Sequence, residues 1–166
     1  MTQVSSDAQI ADFLRRSYFA LDGLWFVKLE ERHGFEEAMA LDEAVWEVMS
    51  KIQARKAREI LGIEGSSVEE LARAFQLKLA GEGHEYDIEV SPREAVVTVR
   101  VCPWYEILKS SGRTQIAEVI ADRICKRELA GWAKEFGGGI DVAFDGRLCV
   151  ESDRCDTCRI VFSARS

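Results

Sequence analysis

The chain has 166 residues, 47% of them apolar and 31% charged, with only two prolines. That composition suits one globular domain with its own core and excludes extensive disorder or low complexity. Its 29 acidic residues against 22 basic ones leave a net charge of -7, the wrong sign for neutralising a phosphate backbone, so nucleic acid is not an expected partner.

The N-terminal stretch MTQVSSDAQIADFLRR lacks the basic and apolar regions of a secretory signal. Ser5, Ser6 or Asp7 can cap a first helix with Ile10, Phe13, Leu14, Tyr18, Leu21, Trp25 and Leu29 at three-and-four spacing, ending near His33 and Gly34. Within it, YFALDGLWFV is the longest apolar run, but it contains Asp22 and is too short to span a bilayer. The expected setting is therefore cytoplasmic, with no membrane partner. A second helical pattern runs from Phe35 through Trp46 to Ile60, stopped by Gly62, and the short connection predicts an antiparallel helical hairpin.

A third helix opens with a capping box, Ser67 facing Glu70, and closes at the glycines of LAGEG. Alternation then takes over on both sides of Ser91-Pro92-Arg93, the mark of a β-hairpin. Pro103 starts a short helix that Gly112 interrupts, and a longer helix extends from Ile116 to Phe136 before three glycines. Two last strands, about 140–150 and 158–163, flank the polar turn ESDRC. The order predicts a single α+β domain over 1–166, with N-terminal helices over about 6–80 and an antiparallel sheet of about four strands, covered by helices, over about 84–163.

Five cysteines and two histidines set the candidate chemistry. Cys155-x-x-Cys158 has a spacing at which one turn presents two sulfurs to a metal, and Cys125, Cys149 and Cys102 are further thiol ligands; a carboxylate such as Asp145 or Asp153 is another. The competing readings are a reactive thiol and small apolar residues in packing, since free cysteine is among the most buried residue types. Cys102, at a strand end, is the candidate nucleophile. His84, in the glycine-rich turn GEGHEY, reads as a solvated loop residue, and His33 as a helix-end residue. Asp22 and Asp42 fall among apolar residues and are candidate bases or ligand anchors, or side chains that turn aside to pair. Tyr18, Trp25, Trp46, Trp104 and Tyr105 are candidate walls of an apolar pocket, or simply core.

The run LDEAVWEVMSKIQARKAREILGI, the CPW after a strand, Cys125 in the next helix and the ending ESDRCDTCRIVF together resemble the family grouped with L-2-amino-thiazoline-4-carboxylic acid hydrolase. The ending is also similar to that of the 4-vinyl reductase domain, a small-molecule-binding module related in fold to trafficking-complex subunits. The resemblance implies a helix-covered antiparallel sheet and either ring-opening hydrolysis of a small heterocyclic acid or binding of an apolar or aromatic ligand. It also implies a structural zinc, with Cys125, Cys149 and Cys158 as corresponding ligands. The carboxylate expected three residues before Cys149 is absent: Gly146 stands there, and Cys155 is the residue that could replace it.

Three functions are thus expected in order: a small-molecule-binding domain holding zinc through Cys125, Cys149, Cys155 and Cys158; a hydrolase of a cyclic amide or imine using Cys102 with Asp22 or Asp42; and an assembly role, with a homodimer formed at the edge of the last strand.

Overall fold

Ser6 opens α1 (Asp7–His33) by a reciprocal capping box with Gln9, and Gly34, at φ 87°, is the single residue before α2 (Phe35–Leu61). The structure, a computed structural model, describes residues 6–150 and 155–165. The chain divides into two units, Met1–Ala44 and Val45–Ser166.

In the first unit, Phe26 and Phe35 meet edge to face across Gly34, ring centroids 6.1 Å apart. The apolar positions that predict α1 do not form a buried stripe. No residue of α1 is buried, and Phe13 and Trp25 are 70% and 63% exposed.

The second unit is the α+β body. It holds the rest of α2, then α3 (Val68–Glu82), β1 (Glu85–Val90), β2 (Glu94–Val101) and α4 (Pro103–Ser110). A short turn α5 (Ala117–Ile120), α6 (Lys126–Glu135), β3 (Ile140–Phe144) and β4 (Cys158–Ala164) complete it. The four strands lie in the order β1-β2-β4-β3, all antiparallel. The predicted capping box at Ser67 and Glu70 is present, as is the hairpin at Ser91, whose N–H donates to the Glu94 carbonyl at 2.7 Å.

Three expectations change. The last strand, β4, is paired on both sides, with β2 and β3, so it offers no edge for a second copy. The long helix from Ile116 is broken by a wide π turn, Ala121–Cys125, between α5 and α6. β3 ends at Phe144 instead of reaching Val150, since Asp145 and Gly146 leave the extended path at a glycine with φ 96°. The polar turn at Glu151–Arg154 lies outside the described residues.

Alternation along β2 turns Ala95, Val97 and Val99 into a core that α3 and α6 cover. Its centre is three rings: Phe75 meets Trp132 at 5.2 Å and Phe162 at 5.4 Å, both edge to face, a favoured aromatic geometry. Gly131 lets α6 close against Ser50 of α2, because a Cβ at 131 would overlap Ser50 Oγ and press on its Cβ, 3.0 Å away. Gly131→Ala is therefore expected to destabilise the fold by about 1–3 kcal/mol. Urea denaturation would measure it, and Ser50→Gly in the same chain is expected to recover part of the loss.

Candidate functional site

The residues with unusual chemistry gather at one end of the sheet. There the C-terminus of α3, the start of β1, the end of β2 and the start of β4 meet, with Val99 opposite Cys158 in the ladder. α3 closes with Gly83 in the left-handed conformation, at φ 78°, and the His84 N–H donates back to the Leu79 carbonyl at 2.9 Å. This closure turns His84 inward. Its side chain is only 7% exposed, which corrects the solvated-loop reading.

Beside it lies a buried ion group. Lys78 Nζ is 2.8 Å from Glu82 Oε2 and 3.1 Å from Glu128 Oε1. Lys78 and Glu82 stand one turn apart on α3, while Glu128 comes from the first turn of α6. Glu82 also accepts from Trp104 Nε1 at 3.3 Å and from Gln53 Nε2 at 3.4 Å. Burial alone would lower the Lys78 pKa, but Glu128 and Glu82 outweigh it and hold the ammonium charged. Burial raises the Glu128 carboxyl, with Lys78 opposing. Burial and the Lys78 charge depress His84 to about 4, so its imidazole is neutral at physiological pH. His84 Nδ1 sits 3.8 Å from Glu82 Oε2 without a hydrogen-bond partner among the described residues. Such an arrangement separates proton affinities within one small volume.

The thiols adjoin this group. Cys102 caps the N-terminus of α4, Cys125 ends the π turn, Cys149 follows β3 and Cys158 begins β4. Burial raises the Cys102 pKa to about 11 and that of Cys158 to about 12; it pushes Cys125 well above the ordinary thiol value. Cys125 also feels Glu128, Cys102, Cys149 and Cys158, so these sulfurs lie in one region of the body. All five cysteines are free thiols. Cys155 Sγ donates to the Thr157 carbonyl at 2.8 Å. A Cβ on Gly146 would lie 2.8 Å from that sulfur, on a backbone at φ 96°. The carboxylate that the resemblance places at 146 has no room there.

These residues do not fit a zinc ion as they stand. Among the described residues, no three Cys, His, Asp or Glu side chains come together in a way that could hold a metal. Burial raises the thiol pKa values, and a metal bound there would have to displace those protons. Asp153 lies outside the described residues. Protonation also leaves Cys102 without nucleophilic character unless a base takes its proton.

The other sequence candidates divide between the units. Trp46 and Trp104 meet edge to face at 5.4 Å in the second unit, and Lys109 lies over the Tyr105 ring at 5.2 Å. Tyr18, Asp22, Trp25 and Asp42 belong to the first unit. Asp22 and Asp42 are half-buried, and neither lacks a partner.

A groove of about 510 Å³ opens between α6 and β3. Val142, Phe144, Ala130 and Ala143 line it, with Lys126, Gly146 and Arg147 as the remaining wall. None of the predicted aromatics contributes. Lys126 Nζ and Arg147 each approach Asp122 Oδ1 at 2.6 Å, so two cations of the rim meet at one carboxylate. The groove borders the thiols, since Lys126 follows Cys125 and Gly146 touches Cys155.

A family model matches residues 3–145. The chain belongs to DUF6125, a family of unknown function. No curated protein matches the sequence of this DUF6125 chain. Among solved structures it is similar to a trafficking protein particle complex subunit 3 from Naegleria fowleri covalently bound to palmitic acid. That pair shares 10% identity at a TM-score of 0.54, over 96% of this chain and 98% of the other. It is also similar to the phenol-responsive sensory domain of the transcription activator PoxR with phenol: 13% identity, TM-score 0.48, over 88% of this chain and 73% of that one. The likeness to the trafficking subunit is one of fold. Among the described residues, no helix is long and apolar enough to cross a membrane.

Sequence reasoning missed Lys78, Glu82 and Glu128. The available signal was Lys78 and Glu82 four apart near Phe75 and Leu79, and Glu128 preceding Leu129 in another apolar helix. Which charge meets which depends on how α3 and α6 pack.

Proposed function

We propose that the chain binds a small apolar acid, its hydrocarbon or aromatic body in the groove between α6 and β3 and its carboxylate at Lys126 and Arg147. The observation that carries this reading is a trough of ligand size with Val142, Phe144, Ala130 and Ala143 along it and the basic side chains of Lys126 and Arg147 at its rim. The palmitic acid held by the trafficking subunit of the same fold supports an apolar ligand. A structural zinc on Cys125, Cys149, Cys155 and Cys158 is a separate proposal. It requires the thiols to draw closer together and lose protons, and elemental analysis of the native protein tests it directly.

The ligand test uses a fluorescent polyene fatty acid and a series of aromatic carboxylic acids, titrated against the intact chain. Arg147→Gln is expected to weaken binding about tenfold, the worth of one charge-assisted contact. Val142→Asp, which puts an acid on the groove wall, is expected to abolish it. Absence of binding across the series, or binding indifferent to Val142→Asp, would overturn the proposal.

A further inference from the structure

α1 is apolar on two faces. Tyr18, Phe19, Phe26 and Leu29 are half-buried on one side. The adjoining side carries Ile10, Phe13, Leu14, Leu21, Leu24 and Trp25, each 44–70% exposed. At the helical repeat these six fall within a stripe about 120° wide, the width of a face built for packing. The 27-residue helix has no buried residue, so the stripe is an open apolar face.

We propose that two copies of the chain pair through this stripe, α1 against α1 in antiparallel order about a two-fold axis between Ser17 and Tyr18. Three features select a second copy as the occupant. The stripe is self-complementary about that point: Ile10 would meet Trp25 of the partner subunit, and Leu14 would meet Leu21 of the partner subunit, as an isologous contact requires. The charges match under the same operation, with Asp7 reaching Lys28 of the partner subunit at both ends; within one chain Lys28 Nζ pairs with Glu31 at 2.7 Å. The six side chains offer about 700–800 Å² of apolar surface at the area typical of large residues, close to what each partner gives to a standard interface. At the crossing stands Ser17, a small residue whose hydroxyl already donates to the Phe13 carbonyl at 2.8 Å, so the helices can approach closely without stranding a polar group.

Sedimentation equilibrium on the full chain tests this. The wild type is expected to be a dimer at micromolar concentration. Leu21→Glu strikes the interface twice and is expected to weaken dimerisation at least about hundredfold. Lys28→Asp sets two acids against each other and is expected to weaken it too, while Asp7→Lys with Lys28→Asp restores the pairing. The charge exchange keeps the test decisive if Leu21→Glu lowers helix content by circular dichroism. A wild type that is monomeric at about 100 μM, a dimer indifferent to both single changes, or a double exchange no better than Lys28→Asp would overturn the proposal. So would a monomer that floats with vesicles of phosphatidylcholine and phosphatidylglycerol, which would assign the stripe to a lipid surface.

Discussion

Lys78→Met is expected to destabilise the protein by about 3–5 kcal/mol, because it leaves Glu82 and Glu128 buried against each other without their common cation. The desolvation cost of both carboxylates remains while the attraction that offsets it disappears. Urea unfolding followed by circular dichroism measures the loss. If the carboxylates are the cause, Lys78→Met with Glu82→Gln and Glu128→Gln recovers most of it, since a neutral cluster strands no charge. A loss below about 1 kcal/mol for Lys78→Met would mean that water reaches the group and that it behaves as a surface pair.

The second large effect is one of pH. His84 titrates at about 4 in the folded chain, against about 6.5 when unfolded, so on acidification the unfolded chain binds its proton first. The stability tied to neutral His84 is present above about pH 6.5 and is lost as the pH falls towards 4, on the order of 3 kcal/mol in all. Glu128 acts in the opposite sense: its carboxyl is raised by burial, so protonation favours the folded form as the pH drops. Lys78 stays charged throughout this range. The His84 contribution is isolated as the difference between wild type and His84→Gln, each unfolded in urea at intervals from about pH 7 to pH 4. Parallel curves for the two proteins would refute the assignment.

Much of the fold was legible because its boundaries have local causes. Ser67 with Glu70, Gly83 and the Ser91 turn act within a few residues of themselves, and each stands where the pattern puts it. The break at Ala121–Cys125 had no such signature: nothing in ADRIC announces an extra residue in a helical turn. The site divides in the same way. That Cys149 and Cys158 flank one turn is plain from the sequence, whereas the place of Cys125 relative to them, and the burial that raises Cys125 and Cys158, depend on packing. His84 was misread because a glycine-rich turn usually faces solvent, yet the left-handed closure at Gly83 folds this one onto the core. On α1, periodicity correctly gave a helix with an apolar stripe. It could not tell that none of the helix's residues is buried.

The wide turn before α6 has a dynamic consequence. Backbone amides in such a turn close longer, weaker loops than their neighbours, so hydrogen exchange there is expected to run ahead of exchange in α6 at equal depth. Cys125 is the last residue of that segment. Its accessibility to an alkylating reagent is then governed by fraying of one helical turn, at far lower free energy than complete unfolding.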